Sequence, residues 1–592
     1  MKSITQNAAF GRRDFLKGAA ALGGALTAGA LATGCDGKPK SSAGAATASG
    51  ETGAGLTADS ATQKWAFEIA PEAIADSEIK ENVSADVIVV GAGTSGLVTA
   101  VSAAEAGLDV IVVSASAKPV ARGGSNNAIY CKAMERAGIS KLTPFQFQKE
   151  IFYASNQVDE RKWYKHYNNS ETAMNWSIDL MEKAGYKVKV ELGTPLPEDS
   201  LYHETCSIGW ELGDGMDAGE FKDLGTGMMQ PAFVKELARH LTEDLGGRID
   251  FNTVGTQLVR GGKPNGTDGR VDAVICQKSD GSYAKYTGTK AVVLATGDFS
   301  ANKDMMYKYA PSFAPYIADS VYEAKANYDV GFQYGGLLKG DGHKMGLWVG
   351  AGWQKVFPNC VMGGFFGPGP RNLYSNFLGL QVNRNGERFM NENVLSPCGG
   401  ANNFGQPGKT VFALWNEEYA RCETVSGSWN NDSMLDGDAE SIAQSVIASW
   451  EDDVKKGATV KADTMEELIS KLGLPASTMD TVKRYNELCA AGADTDYYKE
   501  AEHMHPLEKG PFYGQSSAGV LVFLTVLGGL NTDANLRVLD DDDNVIEGLY
   551  NVGTMVGDMF AGNYSFMVEG ANYGANCLTF GYLTGKFIAN QE

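Results

Sequence analysis

The segment "ADVIVVGAGTSGLVTAVSAAEAGLDVIVVSASAKP", residues 85–119, holds two short runs of β-branched residues separated by a glycine-rich turn and an alanine-rich stretch. The first run predicts a buried strand, and the small residues of "LVTAVSAAEAG" predict a helix that packs closely on the sheet. Gly91 permits a tight turn, Gly93 a close approach of the backbone to a pyrophosphate, and Gly96 contact between helix and strand. The order strand, glycine turn, helix, strand therefore predicts an α/β dinucleotide-binding unit whose helix N-terminus faces the phosphates.

The second strand of this unit ends at Ser114, where dinucleotide sites usually carry a carboxylate for the adenine ribose. No Asp or Glu occurs from Val110 to Arg122. A serine hydroxyl makes one neutral hydrogen bond and cannot supply a charged bidentate contact, so the ribose should be held less tightly. Two interpretations remain open at this point: a site that has lost its ligand, and a flavin site held by its other contacts.

Length and charge limit the class of protein. The 592 residues are too many for one hydrophobic core, so two or three domains are expected. The chain carries 51 basic and 72 acidic residues, a formal net charge of -21. Nucleic acid and anionic membrane surfaces would repel such a chain, which argues against them as main partners, whereas a basic redox partner would suit it.

The N-terminus has the pattern of an export signal. Arg12 and Arg13 precede an apolar segment of small residues that ends in "ATGC" at Cys35, and residues 1–35 resemble a twin-arginine signal peptide. We expect export in folded form to the cell envelope, with a lipid anchor on Cys35 as an open alternative. Residues 36–65 are rich in Ala, Gly, Ser and Thr, which predicts a flexible linker. No later stretch is long and apolar enough to cross a bilayer.

The cysteines and histidines predict no metal centre. The cysteines after the signal form no CxxC, CxxCH or ferredoxin-like spacing, so haem and iron-sulfur clusters are not expected in this chain. His503 and His505 are spaced like ligands on one side of a strand but have no third ligand near them in sequence. The redox centre, if the chain has one, has to be an organic cofactor.

Four further motifs stand in a fixed order around this unit: "GGSNNA" at 123–128, "KAVVLATGDFSAN" at 290–302, "GLYNVGTMVGD" at 548–558 and "EGANYGANCLTFGYLTGKFIAN" at 569–590. Over residues 85–592 they resemble the fumarate reductase and succinate dehydrogenase flavoprotein superfamily, especially its soluble branch with urocanate reductases and ketosteroid dehydrogenases. The resemblance implies FAD, and it decides between the two interpretations of Ser114. No family-type histidine precedes an isoalloxazine-binding glycine loop, so the FAD is expected to be non-covalent.

The resemblance also implies an architecture and a set of cofactor contacts. A Rossmann-like FAD-binding domain is expected in two parts, residues 80–350 and 526–592, with an α+β capping domain at 351–525 inserted between them. The family usually has a glycine where this chain has Asp298 and a glutamate where it has Thr554. The expected FAD contacts are Gly91, Ala92, Gly93, Thr94, Ser95, Gly96, Ser114, Gly123, Gly124, Ser125, Asn126, Val254, Ala295, Thr296, Gly297, Gly553, Thr554, Asn572, Cys577 and Leu578.

The substrate site departs from that of the fumarate reductases. The segment "LQVNRNGERFMNEN", 380–393, resembles a family hairpin and sets the register through Arg388. Counted from it, the proton-delivering arginine, its relay and the carboxylate-binding groups are all replaced. Two substrate carboxylates would then be buried without cationic partners, so a small dicarboxylate is excluded. The replacing residues are Phe357, Asn372, Ser375, Ser396, Thr525 and Tyr573.

The remaining candidates are aromatic or neutral, which favours a larger substrate without charge. Tyr564 is the expected proton donor, as a tyrosine serves in the ketosteroid branch, with Tyr513 and Tyr573 as open alternatives for this role. Tyr573 is expected to bind substrate or touch the flavin, and His343 is a third candidate with a structural role as its alternative. The residues near the lost charged anchors are Trp353, Phe357, Asn359, Tyr513, Phe523, Phe560, Tyr564, Phe566 and Tyr573.

These observations predict an exported FAD-dependent oxidoreductase that reduces an activated C=C bond of a neutral, aromatic or steroid-like small molecule. Its electrons would come from a membrane-associated multihaem cytochrome, because the chain lies outside the NAD(P)H pool and has no haem motif. Two alternatives stay open: a 3-ketosteroid-type dehydrogenase that introduces a double bond, and a non-catalytic flavin-binding protein.

Overall fold

A computed structural model describes residues 64–148, 158–192, 206–222, 224, 229–330, 335–365, 367–370, 376–394, 400, 402–423, 438–517, 521–560, 562, 564, 568 and 570–591. The predicted signal at 1–35, Cys35 and all but the last two residues of the predicted linker lie outside the described residues. So do Asn372, Ser375, Ser396 and Phe566.

The described residues form a mixture of helices and strands along the chain. The helices are α1 (Thr94–Glu105), α2 (Lys132–Arg136), α3 (Glu160–Lys183), α4 (Gln230–Arg239), α5 (Lys303–Tyr309), α6 (Asp319–Glu323), α7 (Asp341–Trp348), α8 (Glu417–Cys422), α9 (Ala439–Lys455), α10 (Met465–Lys471), α11 (Thr478–Ala491) and α12 (Phe580–Ala589). The strands are β1 (Ile79–Val90), β2 (Val110–Val113), β3 (Asn126–Asn127), β4 (Lys187–Leu192), β5 (Cys206–Glu211), β6 (Arg248–Asp250), β7 (Thr253–Arg260), β8 (Lys263–Pro264), β9 (Val271–Lys278), β10 (Tyr283–Leu294), β11 (Cys360–Phe365), β12 (Leu380–Asn383), β13 (Val411–Asn416), β14 (Val460–Ala462), β15 (Phe512–Ser517), β16 (Leu521–Leu527), β17 (Arg537–Leu539) and β18 (Val545–Asn551).

The main sheet has a parallel part and an antiparallel part. Strand β1 pairs in parallel with β2 and β10, and β6 and β18 extend this part on either side. Strand β10 serves both parts, because residues 283–287 pair with antiparallel β9 and residues 292–294 pair with β18. Parallel strands place their carboxyl ends at one edge, so the chain leaves Val90, Val113, Leu294 and Asn551 on the same side of the sheet.

Helix α1 starts earlier than the sequence predicted. It begins at Thr94 and not at Leu97, with Gly93 as its N-cap, so Gly96 lies in its first turn. A Cβ at Gly96 would stand 2.0 Å from the carbonyl oxygen of Gly91, which only glycine tolerates. The other face of α1 packs on α12, where a Cβ at Gly585 would stand 2.7 Å from the Thr99 carbonyl oxygen. Small residues therefore let this helix touch both neighbours closely.

The final helix opens with a wider turn than an α-helix. Residues Asn572–Thr579 are π-helical and continue directly into α12. Gly574 lies against β3 in this stretch, where a Cβ would stand 1.9 Å from the Asn127 carbonyl oxygen. The wide turns coincide with this close approach, and π-helical turns are frequent at functional sites.

Between strands β10 and β18 of the main sheet, the chain folds into a smaller α+β unit. Its antiparallel sheet has the order β12-β13-β15-β14, and helices α8 to α11 lie in the same part of the chain. A buried ion cluster ties its hairpin to its helical part: Arg388 bonds Glu392 at 2.9 and 2.7 Å and Asp494 at 2.7 Å, and Lys499 lies 3.2 Å from Glu392. The predicted fold class, a split Rossmann-like α/β domain with an inserted α+β cap, is confirmed.

The two histidines spaced like metal ligands have a different partner. His503 Nδ1 lies 3.1 Å and His505 Nε2 2.5 Å from Glu423 Oε1. Burial lowers the pKa of His503, but the Glu423 carboxylate outweighs it and raises this pKa on balance, so His503 and Glu423 favour an ion pair. The His505 ring contacts the same carboxylate oxygen. Among the described residues no group of His, Cys, Asp and Glu could hold a metal ion, and no helix is long and apolar enough to span a membrane.

Candidate active site

A cavity opens at the edge where β1, β2 and β10 end, and most of the expected FAD contacts line it. Helix α1, the glycine loop after β2 and the start of the final helix form its walls. The lining residues that the sequence predicted as cofactor contacts are Gly91, Ala92, Gly93, Thr94, Ser95, Ser114, Gly123, Gly124, Ser125, Val254, Ala295, Thr296, Gly297, Thr554, Asn572 and Cys577.

Four of the expected contacts stand behind the wall. Gly96 and Gly553 permit close packing, since an added Cβ would stand 2.0 Å from the Gly91 carbonyl oxygen at Gly96 and 2.4 Å from Ser95 Oγ at Gly553. Asn126 is fully buried and donates to Gln230 Oε1 at 2.9 Å. Leu578 is fully buried in the core between helix and sheet. These four residues therefore do not line the cavity.

The glycine turn has the geometry that a pyrophosphate requires. Gly91 has a φ of +120°, and a Cβ there would stand 2.3 Å from the Ala295 carbonyl oxygen. At Gly93 the atom nearest to an added Cβ would be 3.7 Å away, so the missing side chain leaves the backbone accessible. No side chain caps the N-terminus of α1, and Thr94 and Ser95 face the cavity there. Unsatisfied N–H groups and the helix dipole favour a phosphate at this point.

The hydrogen bonds of Ser114 define what replaces the missing carboxylate. Ser116 donates its hydroxyl hydrogen to the Lys118 carbonyl oxygen at 2.7 Å, so in the 2.8 Å contact between the two serines Ser114 is the donor. The Ala92 N–H donates to Ser114 Oγ at 3.3 Å. One lone pair of Ser114 therefore remains, and it could accept a hydrogen bond from a ribose hydroxyl as a carboxylate would, but without charge.

Two tyrosines of the final segment line the cavity. The Tyr573 ring lies over the glycine loop, with its Cε2 3.2 Å from where a Cβ of Gly123 would be. Burial raises the pKa of Tyr573, so this phenol is protonated at neutral pH. The Tyr564 side chain is 3% exposed, and its hydroxyl oxygen accepts a hydrogen bond from the Asn572 N–H at 3.3 Å.

The third catalytic candidate, His343, does not line the cavity. It is fully buried in α7, its Nε2 lies 3.2 Å from the Gly528 carbonyl oxygen, and its ring meets Phe299 edge-on. Burial lowers the pKa of His343 to about 4, so the ring is neutral. Its position supports the structural alternative and not proton donation to a substrate. The sequence signal, a neighbouring glycine turn, reflects the packing of α7.

Most of the other aromatic candidates belong to the core. Tyr513 packs on Trp415 and donates to Glu451 within the cap. Trp353 stacks on Tyr309 at 3.7 Å, and Phe560 packs edge-on against Trp163. Phe357 is 58% exposed on the surface. Tyr564 and Tyr573 are the members of the described set that reach the cavity.

The structure reveals a polar cluster that the sequence analysis missed. Arg122 Nη2 donates to the carbonyl oxygens of Leu524 at 2.7 Å and Gly335 at 3.3 Å, while its Nη1 lies 3.9 Å from Asp298 Oδ2. The Thr525 hydroxyl donates to the same oxygen of Asp298. Two departures from the family pattern, Asp298 and Thr525, are thus hydrogen-bonded to each other. The only sequence signal was a basic residue next to the loop at Gly123.

A family model for the FAD-binding domain matches residues 86–567 of this chain, from the first strand to beyond Tyr564. The chain belongs to this FAD-binding family. Its glycine turn, open helix N-terminus and neutral ribose acceptor fit the cofactor that the family is named for. The predicted cofactor, FAD, is confirmed, and the interpretation of Ser114 as part of a site that lost its ligand is not needed.

Two relatives of known activity match large parts of the chain. A vinyl phenol reductase of Lactiplantibacillus plantarum is 24% identical over 535 residues, 85% of this chain and 95% of the relative. A 3-oxosteroid 1-dehydrogenase of Mycolicibacterium smegmatis is 30% identical over 325 residues, 50% of this chain and 52% of the relative.

Solved structures share the fold. A 3-ketosteroid-Δ4-(5α)-dehydrogenase from Rhodococcus jostii superimposes with a TM-score of 0.65 at 21% identity, covering 88% of this chain and 100% of the other. The open conformation of a flavocytochrome c3 fumarate reductase gives 0.55 at 20% identity, covering 86% and 79%. The chain is an FAD-dependent oxidoreductase of the fumarate reductase and ketosteroid dehydrogenase type, acting on CH–CH or C=C groups.

Proposed function

We propose that the protein reduces an activated C=C bond of a neutral, aromatic or steroid-like molecule. The observation that carries this proposal is the charge balance of the cavity: the Arg122 guanidinium lies beside the Asp298 carboxylate, and Thr525, one of the residues that replace the charged groups of the fumarate reductases, donates to the same carboxylate. Two of the hydrogen bonds that Arg122 donates go to backbone carbonyls. Among the described lining residues, Arg122 is the single cation and it lies beside Asp298, so a dicarboxylate would be buried without a cationic partner. A neutral enone or acrylate ester carries no charge, so its burial does not incur this cost.

Bound FAD supplies the hydride equivalent for such a reduction. The protein has to hold the alkene against the glycine loop and deliver a proton to its other carbon. Tyr564 is the proposed acid. The Asn572 N–H that donates to its oxygen stands at the start of the final helix, and a donor there stabilises the tyrosinate left after proton release.

The relative that matches nearly end to end is named as a reductase, which supports this direction. Export through the signal at residues 1–35, a cell-envelope location and a lipid on Cys35 are parts of the same proposal. A separate membrane-associated multihaem cytochrome would then supply the electrons. The acidic balance of the chain, 72 acidic against 51 basic residues, suits a basic docking partner.

A second function, introduction of a double bond into a 3-oxosteroid, is favoured by one specific observation. The 3-oxosteroid 1-dehydrogenase reaches 30% identity, although over half of this chain only. The same tyrosines would then act in the reverse direction. In a reductase the reduced enzyme reacts with the alkene, whereas in a dehydrogenase the oxidised enzyme reacts with the saturated compound.

Substrate charge can be tested with matched alkenes. The purified enzyme is reduced anaerobically and mixed with methyl cinnamate, an enone steroid or fumarate, and flavin absorbance is followed. We expect a neutral alkene to reoxidise the enzyme at least about 100-fold faster than fumarate, because an unpaired buried carboxylate costs several kcal/mol. Faster reoxidation by fumarate would refute the neutral-substrate proposal.

A further inference from the structure

A buried carboxylate lies directly behind the loop that forms the cavity wall. Glu191 on β4 is 4% exposed, and its Oε2 accepts hydrogen bonds from the Ser125 hydroxyl and, at 3.0 Å, from the Ser207 hydroxyl. Both of these donors are neutral. Lys189 and Glu211, the charged residues whose fields reach it, pair with each other at 3.8 Å. Burial raises the pKa of Glu191, which brings its titration toward neutral pH.

The two serines differ in one respect. Ser125 lines the cavity, whereas Ser207 lies on β5 behind it. The backbone at Ser125 lies directly against residue 570, since a Cβ at Gly570 would stand 2.7 Å from the Ser125 carbonyl oxygen. A change at Glu191 can therefore reach the cavity through Ser125 but not through Ser207.

A serine hydroxyl has one hydrogen to donate, and this makes Ser125 a polarity switch. While Glu191 is ionised, its carboxylate can only accept hydrogen bonds, so the hydroxyl hydrogen of Ser125 points at the carboxylate. The Ser125 oxygen then faces the cavity as a hydrogen-bond acceptor. Once Glu191 is protonated, the acid itself donates to a serine oxygen, and the hydrogen of Ser125 can turn toward the cavity. The protonation state of Glu191 thus decides whether the wall accepts or donates at this point.

We propose that Glu191 is a positioning residue that couples uptake of one proton to reduction of the bound FAD, acting through the Ser125 hydroxyl. The two electrons come from the external reductant, and one proton from solvent goes to the Glu191 carboxylate, in addition to the protons that the flavin itself takes up on reduction. In this proposal the redox-active ring of FAD lies beside Ser125, where an electron-rich ring prefers a hydrogen-bond donor at the wall, so reduction favours protonated Glu191. By reciprocity, protonation of Glu191 favours the reduced cofactor. The inference rests on FAD binding and not on the direction of catalysis.

The test is the midpoint potential of the holoprotein as a function of pH, measured by anaerobic spectroscopic titration with dithionite. Each proton coupled to a two-electron reduction adds about 30 mV per pH unit to the slope, the value of a tenfold change for two electrons. Between the pKa values of Glu191 in the oxidised and reduced protein, the wild type should show a segment steeper by this amount. E191Q should lack this segment, because glutamine does not titrate.

Two serine variants form a matched pair. S125A should lose the steeper segment as E191Q does, whereas S207A should keep it, moved to higher pH because the carboxylate has lost a hydrogen bond. FAD content from absorbance verifies folding, and S125A carries the test alone if E191Q does not fold. A steeper segment that persists in E191Q or S125A, or that disappears in S207A, overturns the proposal. None of these outcomes depends on substrate, so they are separable from failure of the proposed function.

Discussion

Replacement of Tyr564 by phenylalanine is expected to slow reoxidation of the reduced enzyme by its alkene substrate at least about 100-fold, within the range of roughly 10²- to 10⁴-fold for general acid catalysis. The change removes one oxygen at the cavity wall, the one that accepts the Asn572 N–H at 3.3 Å. FAD content and reduction by dithionite should be unchanged, since neither needs this proton. Stopped-flow absorbance under anaerobic conditions measures all three.

Tyr573→Phe is the matched control, because its ring lies over Gly123 in the same cavity. If Tyr573 binds substrate or touches the flavin, this variant should raise the substrate concentration needed for half-maximal rate and leave the limiting rate within about tenfold, the loss of one hydrogen bond. If Tyr564→Phe is reoxidised by the alkene at the wild-type rate and Tyr573→Phe is reoxidised at least about 100-fold more slowly, Tyr573 and not Tyr564 is the acid.

The second large effect is expected in the cap. Arg388→Met should lower the free energy of unfolding by about 3–5 kcal/mol, the cost of removing one partner from a buried ion cluster. The side chains of Glu392 and Asp494 are completely buried, and of the cations in this described cluster only Lys499 would remain to balance them. The same carboxylates and burial shift the pKa of Arg388 upward on balance, so its charge persists at every accessible pH. Urea unfolding followed by tryptophan fluorescence measures the loss.

Arg484→Met supplies the control for that experiment. Arg484 also pairs with a carboxylate, at 2.6 Å from Asp496, but its side chain is 49% exposed. Exposed pairs contribute about 0–1 kcal/mol, so this variant should stay within about 1 kcal/mol of the wild type, the upper limit for such pairs. An equal decrease in the free energy of unfolding in the two variants would show that the buried cluster at Arg388 contributes no more than an exposed ion pair.

The parts of the site that could be predicted from the sequence are those that depend on local backbone geometry. Gly91 adopts a φ of +120° and Gly96 lies against the Gly91 carbonyl oxygen, so these two requirements arise within the motif and the turn is recognisable without a structure. The close approach of Gly91 to Ala295 is a contact between distant segments and could not be predicted. The predicted start of α1 is three residues late, because the sequence analysis assigned Gly96 to the glycine turn. In the structure Gly96 is already helical, and the absence of a side chain at Gly96 lets the first turn of the helix lie against Gly91.

Contacts between distant segments could not be predicted. Arg122, Asp298 and Thr525 come from three separate parts of the chain, and nothing in their local sequence indicates that they meet. Glu191 reaches Ser125 across 66 residues. The clustering of aromatic residues near the replaced charged residues could not distinguish a substrate site from a core. Tyr513, for example, belongs to that cluster in sequence but packs on Trp415 inside the cap.

The most direct test of the proposed function is a single-turnover comparison of the two directions with one substrate pair. FAD-loaded enzyme, reduced stoichiometrically, is mixed with the alkene, and oxidised enzyme is mixed with the corresponding saturated compound, both without oxygen. We predict that the reduced enzyme reoxidises with one saturated product formed per FAD, while the oxidised enzyme keeps its flavin absorbance. Bleaching of the oxidised enzyme by the saturated compound, with no reoxidation of the reduced enzyme by the alkene, would contradict a reductase and establish the dehydrogenase.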